Sequence, residues 1–184
     1  NPDNLPDKGK GRFSMVLPPP NVTGTLHLGH AVTVTIEDIL VRYQRMLGKK
    51  TLWLPGTDHA AIATESKIEK ELIKKEGKNR NDLGRPAFLK RVDAFAKESQ
   101  QTILNQLRKM GASLDWSRLA FTLDEKRQRA VYTAFKRMYD AGLIYHGEYL
   151  INWDKKGQTT VSDEEVEYET TKGTLYTFRY SKNF

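Results

Sequence analysis

The stretch "PPPNVTGTLHLGHA", residues 18–31, crowds prolines, glycines and a pair of histidines between two apolar segments. The run "RFSMVLP" leading into it, residues 12–18, reads as a buried strand halted by Pro18, Pro19 and Pro20, since proline offers a ladder no N–H. Beyond it, Val32, Ile36, Ile39, Leu40, Tyr43, Met46 and Leu47 recur at helical spacing and Gly48 follows. That predicts a helix over 28–47 with a glycine end. "AVTVTI" alternates as a strand would, but the longer period prevails. "KKTLWLPG", residues 49–56, is a second strand stopped by Pro55 and Gly56. Strand, helix, strand makes a βαβ unit, which requires a parallel sheet.

Further along, "ATESKIEKELIKKEG", residues 63–77, reads as a helix. A long helix is expected over 86–110, with Phe88, Val92, Phe95, Ile103, Leu107 and Met110 on one stripe. Over 124–141, Val131, Ala134, Phe135, Met138 and Tyr139 line one face, Asp124 and Glu125 suit the N-terminus, and Gly142 ends the helix. From Leu143 the character changes: "LIYHGEYLINW", "TTVSD", "VEYE" and "TLYTFRY" are short β-like pieces rich in Tyr, Thr and Val. The expected layout is a disordered lead-in over 1–11, an α/β body with a parallel sheet over 12–142, and a small β-rich appendage over 143–184.

Composition narrows the class. The 184 residues are 38% hydrophobic and 29% charged, which suits one globular domain with an appendage. No apolar run approaches a membrane span, and no secretory pattern opens the chain. The absence of cysteine excludes a disulfide framework and any thiolate zinc site. A net charge of +7 favours an anionic partner, nucleotide or nucleic acid. A solvated surface is the plainer reading, because much of the excess sits in "KIEKELIKKEGKNR". The chain opens without Met, as a processed protein or a piece of a longer one would.

The first loop carries the chemistry. A strand that turns through glycines into a helix gathers backbone N–H groups and the positive end of the helix dipole at one spot, which suits phosphate. His27 and His30, three apart, share a face there. Gly29 between them lets a base or phosphate approach the backbone. Two imidazole donors aimed at a phosphate can stabilise the charge that develops in phosphoryl or nucleotidyl transfer. Three plainer readings stay open: both histidines solvated or structural, both metal ligands with Asp58 and His59, or the glycines serving only a turn. In the second loop, "WLPGTDHAAIATE", Asp58 is placed to hold an ammonium or a hydroxyl, or to cap the helix that begins near Ala60. Asn21 orients a ligand or favours the turn.

These segments resemble a family. "HLGH" resembles the HIGH signature of class I aminoacyl-tRNA synthetases. "PPPNVTGTLHLGHA" followed by "LPGTDHAAIATE" is similar to the valyl branch, whereas isoleucyl and leucyl enzymes carry a Trp and other residues around the corresponding Asp. "RKMGASLDWSRLAFTLDE" and "YLINWDKKGQTTVSDEEVEYE" resemble the same branch, so the likeness runs from about residue 12 to the end. It implies a Rossmann-like catalytic domain that activates valine with ATP and Mg²⁺, then esterifies tRNA(Val). By motif, His27, Gly29 and His30 would contact ATP and its transferring phosphate, with the two histidines catalytic. Pro18, Pro19 and Asn21 would line the valine pocket, and Asp58 would hold the ammonium. A cytoplasmic, monomeric enzyme is implied.

Two departures follow from the same likeness. The family's second ATP signature, KMSKS, is absent, and the chain stops where the family's editing insertion begins, with "TLYTFRY" as the strand leading into it. The chain is therefore expected to be an N-terminal segment that does not aminoacylate tRNA unaided. "NWDKKGQTT" lacks the cysteines that some relatives use for zinc, so no metal is expected in the appendage. Two other readings remain open from the residues: a compact nucleotidyltransferase with an HxGH loop, and a non-catalytic basic module that binds tRNA.

Overall fold

The structure is a computed structural model and describes residues 2–4, 9–155 and 157–180. Of the expected disordered lead-in, residues 1 and 5–8 lie outside the described residues, and Pro2–Asn4 form a short 3-10 turn. Contacts divide the chain into two units, Asn1–Ile144 and Tyr145–Phe184.

The first unit is organised by its opening βαβ. Strand β1 (Arg12–Val16) pairs in parallel with β2 (Lys50–Leu54), in a register that runs from Arg12 opposite Lys50 to Val16 opposite Leu54. Helix α1 (Leu28–Met46) crosses between them. The three prolines end β1 as expected: Leu17 N–H still donates to Leu54 O at 3.0 Å, and the ladder then breaks. Gly48, at φ 83°, closes α1 from the left-handed region, and its N–H donates to Arg45 O.

Helices α2 (Ala61–Glu76), α3 (Arg80–Leu83) and α4 (Arg85–Lys109) follow. Beyond a 3-10 turn at Trp116–Arg118, β4 (Ala120–Phe121) pairs in parallel with β3 (Gly56–Thr57), and α5 (Glu125–Asp140) comes next. The core gathers Leu17, Val22, Val34, Val41, Trp53, Ile103, Leu107, Ala112 and Leu114. Trp53 is fully buried and its indole N–H donates to Glu37 Oε2 at 3.0 Å. A buried tryptophan requires such a partner.

The helices form where the periodicity placed them, but the apolar stripe of α1 does not face the sheet. Val32, Ile36, Ile39, Leu40, Tyr43, Met46 and Leu47 are 44–85% exposed, while Val34 and Val41 supply the inward apolar contacts. Polar side chains complete that inward face: Glu37 meets Trp53, Asp38 meets Ser113, and Arg45 donates to Thr51 Oγ1 and Ser113 O. The face of α5 is exposed as well, with no buried residue in the helix.

In the second unit, β5 (Asn152–Asp154) and β6 (Thr159–Val161) form one antiparallel hairpin. The strands expected at "VEYE" and "TLYTFRY" do not form among the described residues. Their composition carries β propensity, but a strand exists only with a ladder partner, and none is present for them there. Residues 181–184 lie outside the described residues.

Candidate active site

The first loop builds a helix cap from two imidazoles. His27 is the N-cap of α1, with φ −117° and ψ 177°. Its Nδ1 accepts the Gly29 backbone N–H at 3.1 Å, and His30 Nδ1 accepts the His27 backbone N–H at 3.2 Å. This is the reciprocal geometry of a capping box, with histidine in both roles. The ring centroids lie 3.9 Å apart with the planes tilted by 50°. A ring nitrogen that accepts an N–H bears no proton, so in the neutral rings both protons sit on Nε2. Burial, and then repulsion from His27, holds the His30 pKa below the ordinary imidazole value. The pair therefore offers two N–H donors beside a helix N-terminus.

Gly29 leaves room for the His27 ring. A Cβ there would sit 2.9 Å from His27 Cε1 and 3.1 Å from its Nδ1, so any side chain would displace the capping ring. A cavity of about 330 Å³ adjoins the pair, lined by Leu17, Pro18, Pro20, Leu26, His27, Gly29, His30, Thr33, Val34 and Leu107. The loop is tied to α4, because Gln106 Oε1 accepts the Leu26 N–H at 2.9 Å. Lys67 of α2 donates to Thr23 O at 2.6 Å.

The second loop meets the first at Asn21 and Asp58, which form an isolated parallel bridge. Val22 N–H donates to Asp58 O, and Asp58 N–H to Pro20 O, both at 2.8 Å. Both residues thus stand just past the carboxyl ends of β1 and β2, the edge where open parallel sheets bind ligands. Asp58 is not the cap of α2: Ala60 holds that position, at φ 48°, with no side-chain cap bond. The carboxylate is held instead by Thr122, whose hydroxyl donates to Asp58 Oδ1 at 2.9 Å. His59 Nδ1 lies 2.5 Å from the same hydroxyl oxygen and 3.4 Å from Asp58 Oδ1.

The expected site residues therefore fall into three neighbouring places. Pro18 shares the first cavity with His27, Gly29 and His30. Pro19 lines a second cavity of about 220 Å³ with Leu54, Thr57, Arg118, Phe121 and Thr122. Asn21 and Asp58 line neither, but Thr122 links Asp58 to the second cavity. The sequence reading missed Thr122 and the support given by Lys67 and Gln106. Their partners lie 64, 44 and 80 residues away, where no local pattern signals them.

The donor set suits an anion: two imidazole N–H groups, a glycine backbone and a helix N-terminus. A hard divalent cation needs oxygen ligands. Among the described residues no group of three or more His, Asp or Glu could hold a metal ion.

Comparison with known proteins decides the family. The tRNA synthetases of class I (I, L, M and V) match over residues 2–180. The chain belongs to this family. Among relatives, it is 52% identical over 175 residues to the valine–tRNA ligase of Protochlamydia amoebophila, covering 95% of the chain and 18% of that protein. It is 58% identical over 173 residues to the corresponding ligase of Gloeobacter violaceus, covering 94% and 19%. For the Thermus thermophilus ligase the identity is 56% over 175 residues, covering 95% and 20%. The class I chain thus spans about one-fifth of the length of these relatives.

A solved ternary complex, Agrobacterium radiobacter K84 agnB2 LeuRS–tRNA–LeuAMS, shares the fold with a TM-score of 0.69. It is 22% identical, and the match covers 90% of this chain and 18% of that one. The expected α/β class with a parallel sheet is therefore that of a class I synthetase catalytic domain. Among the described residues no helix is long and apolar enough to cross a membrane.

Proposed function

We propose that this chain forms part of a valine–tRNA ligase and carries its HIGH-type loop. The observation that carries the reading is the histidine capping box. It ties up both Nδ1 atoms at the start of α1 and leaves two Nε2–H donors for a ligand. The likeness to valine–tRNA ligases across 95% of the chain supports the amino acid.

In this reading ATP lies against His27, Gly29 and His30. Pro18, Pro19 and Asn21 border the valine, and the Asp58 carboxylate binds its ammonium. The valine carboxylate attacks the α-phosphorus in line, and pyrophosphate leaves with the bonding electrons. The two imidazole N–H groups donate to oxygens whose charge grows in that step, and the protein supplies position and electrostatics without a nucleophile. Mg²⁺ bound to ATP would supply charge neutralisation at its phosphates. A terminal ribose hydroxyl of tRNA(Val) then attacks the valyl carbonyl of the adenylate, the ester forms as the bond to phosphate breaks, and AMP leaves; the net charge of +7 favours the tRNA. Residues 12–142 serve as the first half of the catalytic domain and 143–184 as the approach to the editing insertion. The whole enzyme acts as a cytoplasmic monomer, and this segment alone does not aminoacylate tRNA.

The test is a graft. This chain replaces the matching segment of the Thermus thermophilus ligase, to which it is 56% identical, and valine-dependent exchange of pyrophosphate into ATP is measured. The chimera is expected to sustain exchange, and His30→Ala to lower it by about 10²–10³, the loss typical of one transition-state donor. A folded chimera without valine-dependent exchange, or one indifferent to His30→Ala, overturns the reading.

A further inference from the structure

Three hydrogen bonds meet at Thr122. Its Oγ1 lies 2.9 Å from Asp58 Oδ1, 2.9 Å from the His59 backbone nitrogen and 2.5 Å from His59 Nδ1. A threonine hydroxyl has one proton to donate and two lone pairs with which to accept. The His59 backbone N–H occupies one lone pair. An ionised carboxylate only accepts, so the hydroxyl proton points to Asp58. What remains for the ring is the second lone pair, and His59 Nδ1 must carry a proton. A bare Nδ1 would set its lone pair against the hydroxyl oxygen at 2.5 Å and against Asp58 Oδ1 at 3.4 Å.

The rest of the surroundings hold this arrangement in place. Thr122 N–H donates to Thr57 O at 3.2 Å, extending the β3–β4 ladder and fixing the threonine backbone. The His59 carbonyl accepts from Thr64 Oγ1 at 2.7 Å, and the ring stands edge-on to Phe121 with centroids 6.4 Å apart. Among the described residues Asp58 Oδ2 has no hydrogen-bond partner.

We propose that Thr122 is a positioning residue for Asp58: its hydroxyl fixes Oδ1, holds His59 in the Nδ1–H form, and leaves Oδ2 to bind the substrate ammonium. The proposal rests on the reading of Asp58 as the ammonium ligand. It gives the two loops opposite polarity. His27 and His30 present Nε2–H donors to an anion, whereas His59 spends its Nδ1–H on Thr122, next to a carboxylate oxygen reserved for a cation.

The first arm of the test is long-range ¹H–¹⁵N correlation on the chain, whose four histidines are few enough to assign. His59 is expected in the Nδ1–H form and His27 and His30 in the Nε2–H form. Thr122→Val abolishes the His59 signature and Thr122→Ser keeps it. The second arm titrates a non-hydrolysable valyl-adenylate analogue and its counterpart without the amino group. Thr122→Val is expected to weaken the amino analogue about tenfold, the loss of roughly one charge-assisted hydrogen bond. It leaves the desamino analogue unchanged, and Thr122→Ser restores binding.

His59 protonated at Nε2 in the unaltered chain overturns the proposal. So does Thr122→Val weakening both analogues equally, which is a purely structural effect. Asp58→Asn separates the two claims. If it loses the amino analogue while Thr122→Val does not, the proposal alone falls. If Asp58→Asn binds both analogues as the unaltered chain does, or the unaltered chain binds neither, the Asp58 reading falls and takes the proposal with it.

Discussion

His27 and His30 cap each other across the first turn of α1: Nδ1 of His30 accepts the His27 backbone N–H, and Nδ1 of His27 accepts that of Gly29. Each imidazole therefore serves the fold with one nitrogen and leaves the other for a ligand. The structural and functional readings of the pair are compatible, and substitution can separate them. Asparagine is a strong N-cap, so His27→Asn should keep stability within about 1 kcal/mol, while His27→Ala costs about 0.5–2 kcal/mol. Both lose the Nε2 donor and should weaken ATP-analogue binding alike. Chemical denaturation and calorimetry measure the two effects separately.

Gly29→Ala should spare the helix and damage the site. Alanine is a better helix former by up to about 1 kcal/mol, but its Cβ would sit 2.9 Å from His27 Cε1 and push the ring off its cap. The expected result is a net stability change under about 1 kcal/mol together with a clear loss of ATP-analogue affinity. Unfolding curves and calorimetry on the same sample check it.

The histidine cap should also make stability depend on pH. The His30 pKa is depressed in the folded chain, by burial first and by His27 second. Below the unfolded value the unfolded chain binds the proton more readily. The contribution is therefore present above about pH 6.5 and is lost as pH falls through the depressed folded value. Protonating Nδ1 also removes the acceptor for the His27 N–H. Unaltered chain and His30→Asn should therefore differ in how far their melting temperatures fall between pH 7.5 and 5.5, with the larger fall in the unaltered chain.

Asp38 fastens the middle of α1 to the loop after α4. Its Oδ1 accepts the Ser113 backbone N–H at 2.9 Å and the Ser113 hydroxyl at 2.5 Å, and its Oδ2 accepts Arg42 Nε at 2.6 Å. Burial pushes its carboxyl up, but the bonds from Ser113 and Arg42 outweigh this and hold it below the usual range. That stability is present above the unfolded carboxylate pKa and is lost as pH falls through the lower folded one. Asp38→Ala strands a loop N–H and should cost about 1–3 kcal/mol, read from urea unfolding at neutral pH, with the difference from the unaltered chain shrinking in acid.

The sequence disclosed what local periodicity can carry. The prolines, the glycine turn and Gly48 marked the opening βαβ, because each acts on its own backbone. Which face of α1 turns inward was not legible. Ile36, Ile39 and Tyr43 make the stronger stripe, yet Val34 and Val41 pack, with Glu37 and Arg45 satisfied by partners on β2 and the loop that follows α4. The strands β3 and β4 are two residues each, too short for any alternation to register. Asp58 was legible as a polar residue after a strand, but its support was not, because Thr122 reaches it through a pairing distant in sequence. "TLYTFRY" shows the opposite case: propensity is present, and among the described residues no strand pairs with it.

The most direct test of the account is a calorimetric titration of this chain with non-hydrolysable valyl-, isoleucyl- and threonyl-adenylate analogues, with ATP as control. The account predicts that the valyl compound binds best. Its advantage over the isoleucyl compound should be at least about fivefold, the effect of forcing one extra methylene into a fitted pocket. Equal affinity for the three analogues, or no binding by a folded chain, would contradict the claim that Pro18, Pro19, Asn21, Asp58 and the histidine loop form a valine adenylate site.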